Sequence, residues 1–124
     1  MQITSIRNTN FGLTTSKEVQ KLLADSAKNI KGDDGKKWIA TKREMKNALS
    51  DKHKLIIEDN WPWNSTQQLI VKSPNGNRWV VGFLANHREL LSLEKLKKLV
   101  SELIAVNREE HDNSSDNDII LSEF

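Results

Sequence analysis

The chain has 124 residues, no cysteine and a formal net charge of +2, with 36% hydrophobic and 29% charged residues, a composition typical of one soluble domain. The lack of cysteine excludes a disulfide framework, a thiolate nucleophile and a cysteine-ligated zinc site. Because no apolar run approaches the roughly 20 residues that span a bilayer, and the first residues lack the apolar region of a secretory signal, we expect a cytoplasmic protein without membrane association.

Two capping boxes predict helices in the first half of the chain. Thr15 with Glu18 predicts a helix over residues 16–29, along which apolar residues recur at helical spacing. A second box, which begins at Thr41, predicts a shorter helix over residues 41–49. The Gly-Asp-Asp-Gly segment between them predicts a turn or short loop. The eleven residues between the two helices are too many for a helix-turn-helix motif, whose turn takes about 3–4 residues.

Three short segments rich in Ile, Val, Leu and Trp predict strands over residues 54–59, 67–72 and 78–84. A Pro-Asn-Gly sequence between the last two is the clearest hairpin signal in the chain. In the third strand apolar side chains alternate onto both faces, which predicts a central strand or one covered on both sides. Gly82 within it predicts a close neighbour or a bulge.

A third helix is predicted over residues 93–107, with Ser92 as its N-cap. Its apolar stripe is wider than a coiled-coil seam, so it must be buried on the sheet or in a second copy, and the latter would give a homodimer through helix 93–107. The element order α-α-β-β-β-α predicts an α+β fold. We therefore expect one small domain over residues 1–107, with a three-stranded antiparallel sheet packed against helices.

Charge is distributed unevenly along the chain. Residues 1–107 hold 18 Lys and Arg against 11 Asp and Glu, whereas residues 108–124 hold one Arg and six acidic residues. Since residues 108–117 include no apolar residue, the segment 108–124 is predicted to be a disordered, flexible acidic tail with an apolar tip. A basic body joined to an acidic tail is typical of a surface that faces a polyanion, with the tail competing for it.

The end of the chain resembles the tails of single-stranded DNA-binding proteins. The residues that carry the resemblance are Asp116, Asp118, Ile119, Ile120 and Phe124. It implies that the acidic run competes with nucleic acid for the basic body and that Ile119, Ile120 and Phe124 bind a partner protein. The dense aspartate run and the proline before the last residue of those tails are absent, so no family membership follows. An ordinary disordered terminus, or a last strand, is the alternative.

A basic cluster surrounds one aromatic residue in the predicted loop and second helix. Its cations are Lys36, Lys37, Lys42, Arg43 and Lys46, and its aromatic residue is Trp38. Cations beside an indole suit phosphate contacts with a base or sugar stacked on the ring. The alternative is a solvated helix face with the Trp38 ring buried in the core.

Trp61 and Trp63 flank a proline just after the first predicted strand. Two indoles on a rigid backbone suit a protein partner or stacked bases, because Trp often dominates interface energetics. The alternative is a loop folded onto the sheet, with the rings filling the core.

Motifs for catalysis, metal binding or phosphate-loop binding are missing from the sequence. The three histidines lack ligand spacing, so they are read as solvated or hydrogen-bonded surface residues, and no glycine pattern forms a phosphate loop. The favoured hypothesis is a small non-enzymatic nucleic-acid-binding accessory or regulatory protein without metal or cofactor, whose acidic tail modulates binding or recruits a partner. The alternative is a protein-binding inhibitor, immunity or adaptor module that blocks a partner's surface.

Overall fold

A computed structural model describes residues 12–60, 65–86 and 89–123, with side chains as far as His111. In these residues the element order is β1-α1-α2-β2-β3-β4-α3. The strands are β1 (Thr14–Thr15), β2 (Lys54–Asp59), β3 (Gln67–Lys72) and β4 (Arg78–Leu84); the helices are α1 (Lys17–Ala27), α2 (Asp33–Asn47) and α3 (Leu93–Glu123). The predicted small, single-domain α+β fold is confirmed, with four strands in place of the three predicted.

The sheet has the strand order β1-β2-β3-β4. Strands β2, β3 and β4 are the three predicted strands, and they pair antiparallel in chain order. β1 is the additional strand, and its residues Thr14 and Thr15 pair in parallel with the start of β2. A strand of two threonines offers none of the apolar alternation by which strands are recognised in a sequence, which is why it was not predicted.

The hydrophobic core lies between one face of the sheet and the helices. α1 packs against β2, α3 packs against β4, and α2 packs against α3. The largest fully buried apolar side chains come from all three helices and three strands: Val19, Met45, Leu55, Val71, Leu84, Leu96 and Leu103. Each such burial contributes about 1.5–3 kcal/mol. Most of the apolar stripe of α3 is therefore buried within the chain, against both β4 and α2, whereas Ile104 is 45% exposed.

Helix α1 confirms its prediction, with a cap one residue later than Thr15. The hydroxyl oxygen of Ser16 accepts a hydrogen bond from the backbone N–H of Val19 at 3.3 Å. Further along, the fully buried Ser26 accepts a hydrogen bond from the Leu91 backbone N–H at 2.9 Å. This bond connects α1 to the segment that precedes α3.

Helix α2 begins at Asp33, eight residues before the predicted Thr41, so the predicted loop is wrong. Gly32 is the N-cap residue, with φ of 64°, and two aspartates occupy the first turn, where they interact favourably with the positive end of the helix dipole. Gly35 lies inside the helix. The connection from α1 shortens to residues 28–32, close in length to a helix-turn-helix turn.

Strand β4 is the last strand of the sheet, not a central one. The register shifts between Leu69 and Ile70, so that β4 has one extra residue, Val81. This bulge breaks the alternation of faces: Val81 is buried, whereas Val80 and Phe83 are 47% and 65% exposed. A Cβ atom added to Gly82 would lie 3.0 Å from Leu69 Cδ1, which confirms the close neighbour predicted there.

Helix α3 continues to Glu123, where the sequence predicted a flexible tail from residue 108. Adding a residue to an existing helix costs far less than starting one, so a polar segment can follow the apolar one. Val106 is 5% exposed, and Glu110 contacts the body of the domain, so the helical packing passes residue 107. None of the helices in the described part of the chain combines the length and apolarity that a membrane span needs.

Candidate nucleic-acid interface on helix α2

The structure places all six residues of the predicted basic cluster on α2, but Trp38 points away from solvent. Trp38, Thr41 and Met45 form the buried side of the helix. The Trp38 ring is 3% exposed and belongs to the core, so it is not available to stack on a base. This part of the site prediction is corrected, and the alternative of a core indole beneath a solvated helix face applies.

Four of the five cations lie along one side of α2. At about 100° per residue, they fall within an arc of about 120° that contains no acidic residue. We call these residues the α2 basic face: Lys36, Lys42, Arg43 and Lys46. Ile39 lies in the same arc and is 60% exposed. Lys37 lies outside the arc, on the side of the helix that carries Glu44.

The four cations of the α2 basic face form no ion pair with another described residue. Among the residues that the structure describes, Lys28 pairs with Asp25, Arg78 with Glu58 and Lys95 with Glu89, whereas none of the four cations has an acidic partner. Lys42 is half-buried and the other three are exposed. The face can therefore contact a polyanion without first breaking an ion pair to another described residue.

Packing holds the helix that carries this face in place. Its buried side packs against α3, and its last turn is joined to β1 because the Leu13 backbone N–H donates to the Lys46 carbonyl oxygen at 2.8 Å. A Cβ atom added at Gly12, where φ is 92°, would lie 3.0 Å from that same oxygen. The α2 basic face is thus presented on a helix that is packed against α3 and hydrogen-bonded to the residue before β1.

A second candidate site is an acidic cleft of about 480 Å³ between α1, β2 and the segment after β4. Its carboxylates belong to Glu18, Asp25, Asp59 and Glu89. Asp25 already pairs with Lys28, and Asp59 accepts a hydrogen bond from the Gln67 amide at 2.7 Å. In the described part of the chain, no three acidic or histidine side chains are arranged to hold a metal ion.

Glu89 shows how the cleft's charge is used within the chain. The Lys95 ammonium and the Ala85 backbone N–H both donate hydrogen bonds to its carboxylate, the latter at 2.5 Å. These contacts hold the pKa of Glu89 below its ordinary value of 4.5, despite the opposing effect of burial. Glu89 therefore stabilises the connection between β4 and α3, so this carboxylate of the cleft has a structural role.

His53 is the centre of an array that resembles a hydrolytic triad in composition. Its Nδ1 lies 3.0 Å from the Ser50 hydroxyl and its Nε2 lies 2.8 Å from a carboxylate oxygen of Glu110. The Ser50 oxygen also accepts the Lys52 backbone N–H, as expected for a turn. The acidic cleft includes no member of the array. The two hydrogen bonds of His53 join the turn after α2 to helix α3.

The predicted partner-binding residues fall at or beyond the limits of the structure. Trp61, Trp63 and Phe124 lie outside the described residues. Ile119 and Ile120 belong to the helical backbone of α3, but their side chains are not among those described. Their assignment to a partner remains a prediction.

Comparisons with protein-family models, curated proteins and solved structures found no match to this chain. The functional proposal therefore rests on the geometry of the chain itself. The sequence prediction missed the exposed Ile39, although the spacing of Lys36, Ile39 and Arg43 is that of one helix face. A helix predicted to begin at the two aspartates after Gly32 would have placed Ile39 on the same face as Lys36 and Arg43.

Proposed function

We propose that this chain is a non-enzymatic nucleic-acid-binding protein that contacts phosphates through the α2 basic face. The observation that carries the proposal is the set of four cations along one acid-free side of helix α2, none of them in an ion pair with another described residue. Cations of this kind release counterions from the nucleic acid when they bind, which favours association at low salt.

The burial of Trp38 favours double-stranded over single-stranded nucleic acid. Proteins that bind single strands use aromatic side chains as stacking platforms, and the α2 basic face offers none. The major groove of a DNA duplex admits an α-helix, and an exposed Ile39 amid the cations could contact a thymine methyl group. The acidic residues later in α3 would weaken this binding by repulsion.

The test is fluorescence anisotropy with a labelled DNA duplex, measured between about 50 and 200 mM salt. The test variant reverses three charges of the face: Lys36→Glu, Arg43→Glu and Lys46→Glu. Each lost phosphate contact reduces the slope of log K against log salt by about 0.9. We therefore expect the slope to fall by up to about 2.7 and the affinity at low salt to fall more than about tenfold.

A matched control variant makes the same change in net charge on three other elements, at exposed lysines: Lys17→Glu, Lys72→Glu and Lys97→Glu. We expect it to retain most of the salt slope, because these lysines are not on α2. Equal losses in the two variants would show a response to net charge alone and would contradict the role of the face. Absence of binding at the lowest salt would leave the inhibitor or adaptor alternative, which a salt-resistant protein complex would support.

A further inference from the structure

The outer edge of β4 is unpaired within the described part of the chain. β4 pairs with β3 along one edge, and no other strand in the described part of the chain pairs with its second edge. Val80 and Phe83 are exposed on this strand, and no charged residue or proline follows Arg78 within it. Lysine and proline are common means by which proteins protect an edge strand from pairing with another chain. Strand β4 has a bulge, but it contains neither a lysine nor a proline.

A groove of about 390 Å³ runs between this strand and α3. Its apolar part includes Val80, Phe83 and Leu99, and its rim is formed by three charged residues of α3, namely Lys95, Lys98 and Glu102. The unpaired edge is therefore continuous with a second surface, one flank of α3. An occupant of this site has to match both the strand and the helix flank.

The order of charges along the α3 flank identifies that occupant. Lys98 comes first and Glu102 follows one turn later, while Lys95 is already paired with Glu89, so the charge available on the flank changes from basic to acidic along the helix. Two such flanks attract each other when the helices run antiparallel and repel each other when they run parallel. A twofold axis across two β4 edges would make both the strands and the helices antiparallel.

We propose that this surface binds a second copy of the chain, forming a symmetric dimer. The two β4 edges pair antiparallel, which gives partners to backbone N–H and C=O groups along each edge and covers Val80 and Phe83. The α3 flanks meet with Lys98 of one copy beside Glu102 of the other. The dimer surface is distinct from the α2 basic face, so it neither requires nor excludes nucleic-acid binding.

Sedimentation velocity on the full chain tests the proposal, from low to high micromolar protein. The expected result is a concentration-dependent mass that approaches twice the 14.2 kDa of one chain. A mass of one chain over the whole range overturns the proposal and leaves the groove to a foreign strand.

A pair of lysine substitutions then locates the interface. Val80→Lys places a charge on the unpaired edge, and Ile39→Lys makes the matched change at an exposed apolar residue of α2. We expect Val80→Lys to be monomeric and Ile39→Lys to dimerise like the unchanged chain, with both retaining the native circular dichroism spectrum. A natively folded Val80→Lys dimer overturns the proposal.

Charge reversals on α3 test the antiparallel arrangement separately. Glu102→Lys makes the whole rim basic, and Lys98→Glu makes it mainly acidic, so each variant alone should dimerise at least about tenfold more weakly, or about 1.4 kcal/mol. An equimolar mixture should form heterodimers, detected by native mass spectrometry, because the altered flanks attract each other. Failure of the mixture to associate overturns the antiparallel arrangement.

Discussion

His53 connects three parts of the fold through two side-chain hydrogen bonds. It is 9% exposed, with Ser50 on one ring nitrogen and Glu110 on the other. These contacts join the turn after α2 and the start of β2 to the middle of α3. Buried polar groups without hydrogen-bond partners are costly. The imidazole of His53 therefore stabilises the fold mainly because it gives Ser50 and Glu110 a hydrogen-bond partner and because both of its own ring nitrogens have one.

We predict that His53→Ala lowers the free energy of unfolding by about 1–3 kcal/mol, because it leaves the partly buried Glu110 carboxylate without its partner. Urea titration monitored by circular dichroism measures the change. His111→Ala is the matched control: it removes an exposed imidazole from α3, next to Glu110, and should change stability by less than about 0.5 kcal/mol. Equal effects of the two substitutions would contradict the connecting role of His53.

Trp38 shows where sequence reasoning about a single residue ends. Its neighbours along the chain are cations, and this pattern fits both a stacking platform and a core residue beside a solvated face. The choice depends on the direction of the side chain, which depends in turn on where α2 begins. A helix that starts at Asp33 places Trp38 on the same side as Met45, and both are buried.

The start of α2 depends on two glycines with different roles. Gly32 adopts φ of 64°, a conformation that residues with a Cβ atom rarely take. Gly35 is inside the helix, and a Cβ atom added there would have no neighbour within 4 Å. In sequence the two glycines are indistinguishable, and together they predicted a loop; in the structure one precedes a helix and the other is part of it.

We therefore predict opposite effects for two substitutions three residues apart. Gly32→Ala should destabilise the protein by about 1–3 kcal/mol, through strain at a positive φ. Gly35→Ala should stabilise it by about 0.5–1 kcal/mol, because alanine loses less conformational freedom in a helix. Thermal and urea unfolding of both variants measures the difference. A destabilising Gly35→Ala would indicate that α2 begins after residue 35.

At the level of whole elements, local patterns predicted α1 and the three strands β2, β3 and β4, because their apolar periodicity and turn residues agree with the tertiary packing. The sequence did not predict β1, whose two threonines pair in parallel with β2. It also misplaced β4 in the sheet: apolar residues on both faces predicted a central or covered strand, but β4 is the last strand, and Val80 and Phe83 are exposed. Position within a sheet is a tertiary property and has no local signal.

At the scale of the whole molecule, the question is how the basic body and the acidic segment that the sequence distinguishes are arranged in the fold. Four of the five cations of the predicted basic cluster lie on one face of α2, and the acidic segment begins as a continuation of α3. Its residue Glu110 is bound to His53 and so contributes to the fold. The part of the acidic segment that contributes to the fold therefore extends at least to Glu110, three residues past the boundary at 107 that the sequence predicted. The modulation of nucleic-acid binding that we propose is expected from the residues after 111.

This division can be tested by truncation after His111. The cut removes four acidic residues and no basic one, which raises the net charge from +2 to +6 and leaves the contact between His53 and Glu110 intact. We predict that the shortened chain keeps its stability and binds a DNA duplex more tightly by up to about tenfold, which corresponds to about 1.4 kcal/mol. The gain should disappear at high salt, because the Debye length falls from about 10 Å at 0.1 M to about 3 Å at 1 M.

A full-length control separates charge from length, with the four removed carboxylates changed to amides: Asp112→Asn, Asp116→Asn, Asp118→Asn and Glu123→Gln. It has the same net charge as the truncated chain, so anisotropy titrations should give the same gain in affinity if repulsion is the cause. Truncation after residue 107 also removes Glu110 and should lower stability, which the cut after His111 does not. Weaker binding by a stable chain 1–111 would instead show that the end of α3 contributes contacts to the nucleic acid.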